Sequence, residues 1–317
     1  MFLPFFLYHC TGNSKNNIIN YIKSIKYHVP CFFFISFYYL YPIICSKKVE
    51  KMKNRLERLL IPYTFWIFIF WIISDSSFLL SSNKIILALN DLKIQLIVGR
   101  KFMAHLWFMF NLIFFTIAFF IISFLFKGIN YLFILQLASI TSYLFQYSGI
   151  YYNYFNNFNY NVKFSVGYFV ETIPFAASAF LLSFLRLEEK LKKHRKKVLM
   201  LIFIYLYFII KYNIFLKAYG FNFQGIDKNI VSIFLFIEFY LIPFENLKPN
   251  FLYNFINACT RYTQGIYYLH LFISKKIELI LRIKSSFLYC FIIYLLGYFI
   301  SFIGAKLVGK NILKYLF

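Results

Sequence analysis

The sequence predicts an all-α protein, a polytopic transmembrane bundle of about nine to ten helices. Hydrophobic residues make up 61% of the 317 residues and charged residues only 14%. A soluble domain is roughly half apolar and about a quarter charged, so a water-soluble globule is excluded. Disordered chains are poor in aromatic residues, whereas this chain has 46 Phe and 28 Tyr, so disorder is excluded as well. We expect a single membrane-embedded domain over residues 1–317.

Long apolar runs define the candidate membrane helices, since about 20 residues are needed to cross a bilayer. Lipid cannot hydrogen-bond a free backbone, so each run is interpreted as a helix. The full-length candidates are 27–46, 61–82, 105–126, 131–150, 164–185, 198–217, 229–246, 262–280 and 287–308. Residues 1–10 are apolar but too few to span a bilayer. We therefore expect a first helix that is truncated at its start or only partly inserted.

The charge balance is strongly basic, with 34 Lys and Arg against 11 Asp and Glu and a formal net charge of +23. In a soluble protein this excess would indicate nucleic acid. Here the basic residues lie mostly between apolar runs, where they set the topology and lie near anionic lipid headgroups. We therefore predict membrane lipids as partners and no nucleic acid.

Two connecting segments, 46–60 and 186–198, together hold 13 of the 34 Lys and Arg residues. Four predicted crossings separate them, so both fall on the same side of the membrane. The positive-inside rule makes that side cytoplasmic. We predict a multi-pass protein of the cell membrane, plasma or inner, with both basic segments in the cytoplasm.

Histidines and carboxylates inside apolar runs are the candidate functional residues, because polar side chains are costly in lipid and usually face a cavity. His9, His28, His105 and His270 lie in or at the edge of such runs. Each is either a packing residue or part of a functional cavity. Glu171 falls within a predicted helix, where an ion pair is the alternative to a catalytic or proton-conducting role. The five cysteines show no metal-ligand spacing, so no metal site is predicted.

An arginine pair precedes the run at 61–82, in the sequence Arg55-Leu56-Glu57-Arg58. If this segment is helical, Arg55 and Arg58 are three residues apart and share one face. Two guanidinium groups on one face suit a phosphorylated ligand, since each binds phosphate oxygens bidentately. An ordinary basic anchor on lipid headgroups is the alternative.

Five blocks stand in order along the chain: 7–10 (LYHC), 28–36 (HVPCFFFIS), 55–66 (RLERLLIPYTFW), 105–109 (HLWFM) and 265–270 (GIYYLH). Together they resemble acyltransferase family 3, polytopic membrane O-acyltransferases that acetylate surface polysaccharides. Residues 28–36 (HVPCFFFIS) and 55–66 (RLERLLIPYTFW) resemble the family's second-helix, RxxR and third-helix block. Residues 105–109 (HLWFM) resemble its H-x-W-F segment, and 265–270 (GIYYLH) its late G-I-Y-x-x-H segment. Residues 7–10 (LYHC) match its first-helix histidine.

The chain departs from the family pattern in two of these blocks. The Ser-Gly pair that usually closes the second-helix block reads Ser36-Phe37. The basic residue expected about half a helix before the first-helix histidine would precede Met1.

The resemblance implies an acyltransferase that transfers groups other than amino-acyl groups. It would move an acyl group, usually acetyl from acetyl-CoA, to a hydroxyl of a cell-surface glycan or its lipid-linked precursor. Acetyl-CoA is thus the expected co-substrate, and polysaccharide-assembly proteins are expected associates. By the same resemblance His9 is the general base, because the unperturbed pKa of histidine lies near operating pH. Arg55 and Arg58 are assigned to the coenzyme A phosphates or to organising the cytoplasmic mouth.

The remaining candidates receive supporting roles under the same resemblance. His105 and His270 would line the cavity, orient the acceptor or stabilise the tetrahedral oxyanion. Glu171 would orient a histidine. The chief alternative is a transporter or flippase of a lipid-linked glycan, although the paired interrupted helices typical of transporters are not evident in the two halves. A membrane glycan polymerase or glycosyltransferase is a second alternative.

Overall fold

The computed structural model describes part of the chain, and all of its described secondary structure is helical. The described residues are 28–75, 92, 107–126, 128–147, 160–202, 204–205, 208, 224–241, 265, 268–270, 273–274, 276–277 and 287–307. No β-strand occurs among them, so the prediction of an all-α protein holds for the part that the structure describes.

The helices follow the predicted apolar runs closely. In chain order they are α1 (His28–Ser46), α2 (Val49–Asp75), α3 (Trp107–Leu125), α4 (Gly128–Tyr147), α5 (Tyr160–Leu185), α6 (Leu187–Leu191), α7 (Gln224–Leu241) and α8 (Phe287–Leu307). A 3₁₀ turn, Lys192–His194, follows α6, and the described residues between 265 and 277 are also helical. The run at 1–10 and much of 198–217 lie outside the described residues, so the total number of helices stays a prediction.

The start of α2 differs from the sequence prediction. The helix begins at Val49, whereas the predicted run begins at 61, so most of the basic segment 46–60 forms its first turns. Lys, Arg, Glu, Leu and Met dominate this segment, and all of them are good helix formers. Lys53 and Glu57 also lie one turn apart at 4.0 Å. The high helix propensity of residues 49–60 therefore extends α2 towards its N-terminus, beyond the apolar run.

The chain divides into two compact units. The first unit comprises Met1–Ile25, Lys53–Ile113 and Leu247–Phe317, and the second comprises Lys26–Met52 and Phe114–Asn246. The expectation of a single domain stays a prediction, and each unit is described by itself.

The core of the second unit is an aromatic cluster between α1, α3 and α5. The ring of Phe37 is fully buried, and its centroid lies 5.7 Å from that of Phe119 and 6.2 Å from that of Phe180. Ala176 and Ala179 are also fully buried, and their small side chains let neighbouring helices approach α5 closely. Helix α5 packs against α1 and α4. It is thus the central helix of this unit.

Helices α1 and α5 run parallel. Phe37 and Tyr41, one turn apart on α1, contact Phe180 and Phe184, one turn apart on α5, in the same order. The ends of the two helices, Ser46 and Leu185, therefore lie at the same end of the second unit.

Two cation–π contacts place the basic residues at that end. The Nζ atom of Lys47 lies 5.0 Å from the ring centroid of Phe124, near the end of α3. The Nζ atom of Lys192 lies 5.0 Å from the ring centroid of Tyr240, near the end of α7. Residues 47–51 and 186–197 thus share one end of the second unit. The side of a membrane that this end faces stays a prediction.

Within the described part of the chain, two helices are long and apolar enough to cross a membrane, α3 over Trp107–Leu125 and α4 over Gly128–Gln146. A third would be added if Phe169–Leu185 and Glu189–Ile202, which meet at 58°, form one bent span. Both α3 and α4 expose an apolar stripe with helical spacing: Phe114, Ile117, Ile121 and Phe124 on α3, and Ile129, Phe133, Leu137, Ile140 and Leu144 on α4. Surface helices of soluble proteins instead expose polar residues.

Candidate active site

Helix α2 presents one buried face and one exposed face. Tyr63, Trp66, Ile67 and Phe70 recur at intervals of three and four residues and are all nearly inaccessible. This spacing places them on one side of a helix. The opposite side carries exposed apolar residues, such as Phe68. The sequence pattern around the RxxR block therefore fixes which face of α2 is covered.

Arg55 and Arg58 differ in their surroundings, although both belong to α2. Arg55 is half-buried, and burial lowers the pKa of its guanidinium to about 10. Arg58 is exposed. Residues three apart are offset by about 60° around the helix axis, which places Arg55 towards the buried face and Arg58 towards the exposed one. The assignment of both arginines to one ligand-binding face stays a prediction, and of the two only Arg55 is partly covered.

Arg55 lies on the same side of α2 as the aromatic residues further along the helix. Trp66 follows Arg55 by eleven residues, which is about three full turns, so the two side chains project in nearly the same direction. The buried face thus begins with a cation and continues into an aromatic surface.

The late family-like segment packs on this aromatic surface. The rings of Trp66 and Tyr268 are stacked, with centroids 5.7 Å apart and planes at 19°. Phe70 extends the cluster, with its ring centroid 5.6 Å from that of Trp66. Tyr268 is fully buried, and His270, two residues later, is 1% exposed. The RxxR block and the G-I-Y-x-x-H block, far apart in the sequence, therefore meet in the first unit.

The contact between Trp66 and Tyr268 was not predicted from the sequence. Trp66 and Tyr268 belong to the two quoted blocks, but it is the charged and titratable residues of those blocks that indicate a function. The available signal was an aromatic residue in each block, and aromatic residues are too frequent in this chain to single out a pair.

Glu171 lies in the second unit, on α5, and is half-buried. Its helix contains Pro174, which has no N–H and leaves the carbonyl of Val170 without its usual helical donor. The Oγ of Ser142 and the Nε2 of Gln146, both on α4, donate to that carbonyl, the latter at 3.3 Å. Glu171 is therefore adjacent to a backbone position that a neighbouring helix holds in place.

Asn229 on α7 contacts α5 at Pro174 and at Ser178. Its Nδ2 lies 2.8 Å from the Oγ of Ser178, 2.9 Å from the hydroxyl of Tyr143 and 3.4 Å from the carbonyl of Pro174. Asn229 is 6% exposed, and its Oδ1 has no hydrogen-bond partner among the described residues. Sequence reasoning missed this residue, since a single Asn at the start of an apolar run gives no distinct signal.

The other predicted site residues lie where the structure gives no side chain. His9 and His105 lie outside the described residues, and of His28 only the backbone is described, as the first residue of α1. The fifth histidine of the chain, His194, was not a candidate and is exposed at the end of the 3₁₀ turn after α6. Among the described residues no group of three His, Cys, Asp or Glu side chains lies close enough to hold a metal ion.

A family model described as an acyltransferase domain matches residues 3–306, nearly the whole chain. The protein belongs to acyltransferase family 3. This match confirms the resemblance drawn from the motif blocks. No curated protein and no solved structure matches the chain. The two blocks that meet through Trp66 and Tyr268 both lie within the matched range.

Proposed function

We propose that this acyltransferase is a polytopic membrane O-acetyltransferase of the cell membrane, with its basic segments 46–60 and 186–198 in the cytoplasm. It transfers acetyl from acetyl-CoA to a hydroxyl of a cell-surface glycan or its lipid-linked precursor. The family match over residues 3–306 is the observation that carries the proposal. The exposed apolar stripes of α3 and α4 support the membrane location, because apolar side chains are more stable against lipid acyl chains than in water.

The buried face of α2 supports an anionic co-substrate. A guanidinium binds phosphate oxygens through two parallel N–H donors, and a half-buried position reduces the competition from water. The phosphates of coenzyme A supply such an anion, and Arg55 is the residue we assign to them. Arg58, exposed on the next turn, is assigned to organising the entrance.

The proposed chemistry is direct transfer between a thioester and a hydroxyl. The acceptor oxygen attacks the thioester carbonyl carbon, the new ester C–O bond forms and the C–S bond breaks. His9 takes the hydroxyl proton and returns it to the departing coenzyme A thiolate. His105 and His270 orient the acceptor or stabilise the oxyanion, and Glu171 orients a histidine. The burial of His270 fits a position from which bulk water is excluded.

The decisive experiment uses the purified full chain in detergent with radiolabelled acetyl-CoA and a panel of lipid-linked oligosaccharides. We expect release of free thiol that depends on the acceptor, together with label in the glycan. His9→Ala should abolish both, whereas His194→Ala, a change at an exposed histidine, should leave both intact. Movement of the glycan across a vesicle membrane without acetyl transfer would instead establish a flippase, the alternative function.

A further inference from the structure

The end of the second unit where α1 and α5 terminate is densely basic. Segments 47–51 and 186–197 contain ten Lys and Arg residues against three Glu. We call these cations the basic platform: Lys47, Lys48, Lys51, Arg186, Lys190, Lys192, Lys193, Arg195, Lys196 and Lys197. All are exposed except Lys47 and Arg195, which are half-buried. None of the ten forms an ion pair with a side chain that the structure describes. Because ten cations outnumber three Glu residues, these segments keep a net positive charge that attracts an outside anion.

Two basic residues at this end adopt a backbone conformation that usually favours glycine. Lys47 and Arg186, the residues that follow α1 and α5, both have positive φ, at 49° and 45°. Glycine is the residue that usually ends a helix in this conformation, because a side chain there is strained. A cation after a helix end also interacts favourably with the helix dipole, but that effect accounts for one residue per helix rather than ten.

An apolar rim adjoins the platform. Lys47 lies over the ring of Phe124, and the following residues at the turn from α3 to α4 are among the most exposed apolar side chains described, Leu125 at 72% and Ile129 at 71%. Phe184 and Leu185 at the end of α5 are exposed as well. Free phosphate has no group that covers such a rim, and nucleobases stack on aromatic rings rather than cover aliphatic side chains such as Leu125 and Ile129. A phospholipid has an anionic headgroup for the cations and acyl chains for the rim.

We propose that the basic platform is a docking surface for anionic phospholipids, which bind with their headgroups on the cations and their acyl chains against Leu125, Ile129 and Phe184. The inference goes beyond the acyl-transfer reaction and depends only on insertion of the second unit in a membrane. Basic residues at a membrane surface each add to the attraction for anionic lipid, so the effect is cumulative and sensitive to salt.

The test measures lipid binding to the purified full chain by native mass spectrometry, with dioleoylphosphatidylglycerol against dioleoylphosphatidylcholine. We expect the anionic lipid to bind at least fivefold more tightly. The double variant Lys193→Gln/Lys196→Gln should weaken its binding roughly 10- to 30-fold, since each cation near the surface contributes separately. The matched control, Lys276→Gln/Lys306→Gln, removes two exposed lysines of the first unit and should change the affinity less than twofold.

A second variant separates lost charge from lost folding. Arg186→Gly removes the cation but relieves the strained backbone, so it should raise the melting temperature while weakening phosphatidylglycerol binding. Equal binding of the two lipids by the wild type, or equal losses in the platform and control variants, would overturn the proposal. Displacement of the anionic lipid by free coenzyme A, or binding of a single-stranded RNA in 150 mM salt with equal affinity, would overturn it too.

Discussion

Helices α2 and α5 both contain an interior proline and both carry a candidate site residue. They differ in which groups hydrogen-bond to the carbonyl that the proline leaves without a helical donor. In α5 the carbonyl freed by Pro174 accepts hydrogen bonds from Ser142 and Gln146 of α4. In α2 Pro62 frees the carbonyl of Arg58, and no side chain of another described helix donates to it. Arg58 is exposed, so water can reach this backbone group.

The comparison distinguishes polar side chains that stabilise the helices from polar side chains that are expected to bind a ligand. Around Pro174 the side chains of α4 and α7 donate hydrogen bonds to backbone carbonyls and hydroxyls of neighbouring helices, so they satisfy the backbone group that the proline leaves without a donor. On α2 the polar group at the covered face is a cation, Arg55, followed by a stacked aromatic pair. An arginine on this face presents the bidentate fork that binds phosphate oxygens, so α2 is the helix that we expect to bind a ligand.

Removal of the aromatic anchor should have the largest effect. Trp66→Ala should lower the free energy of unfolding by about 3–5 kcal/mol, because it leaves a cavity and ends the stack on Tyr268. The measurement is thermal unfolding in detergent micelles followed by circular dichroism. The control is Phe65→Ala, a change at the neighbouring ring, which is 36% exposed and should cost less than about 1 kcal/mol. Equal losses for the two variants would contradict the covered face described for α2.

Replacement of the covered arginine should affect ligand binding rather than folding. Arg55→Lys keeps the charge but loses the bidentate fork, so the KM for acetyl-CoA should rise roughly 10- to 100-fold, equivalent to the loss of charge-assisted hydrogen bonds. Arg58→Lys, a change at an exposed position of the same helix, should raise it less than about threefold. Steady-state kinetics at several acetyl-CoA concentrations measure both. An unchanged KM in Arg55→Lys would remove Arg55 from phosphate binding.

The same variant should also acquire a pH dependence. Burial lowers the pKa of the group at this position, and the ordinary pKa of lysine, about 10.4, is already below that of arginine. The cationic form binds phosphate, so the affinity of Arg55→Lys for acetyl-CoA should fall as the pH rises towards the lowered pKa of the lysine. Arginine stays charged between pH 7 and about 9, so the wild-type affinity should show no such fall. Parallel pH profiles of KM for the two proteins would contradict the burial of this site.

Loss of the donors on α4 should act on stability alone. Ser142→Ala/Gln146→Leu leaves the Val170 carbonyl without either donor, and should lower the free energy of unfolding by about 1–2 kcal/mol. The KM for acetyl-CoA should not change. Thr141→Val is the control on the same helix, because the Thr141 hydroxyl is exposed and donates within α4, to Leu137. A raised KM in the double variant would mean that the polar cluster around α5 takes part in ligand binding.

The sequence predicted most helices because an apolar run of membrane length specifies a helix and its approximate bounds. It placed the start of α2 at 61 rather than Val49, since hydropathy does not register that Lys, Arg and Glu favour helix. It selected Arg55 and His270, but not the contact between Trp66 and Tyr268 that joins their two segments. Which rings meet across a helix interface depends on packing between distant segments, and local periodicity carries no information about it.

The smallest effect should come from the exposed ion pair on α2. The Nζ of Lys53 lies 4.0 Å from Glu57, and the two side chains are 73% and 35% exposed. A pair this exposed gains little, because water and salt screen it, so Glu57→Gln should change the free energy of unfolding by less than about 0.5 kcal/mol. Glu57 is half-buried like Arg55, but its partner Lys53 is largely exposed, so water and salt reach the pair. Thermal unfolding at 50 and 500 mM NaCl measures it, and a salt-insensitive loss above 1 kcal/mol would show that Glu57 supports a covered cation rather than a solvated one.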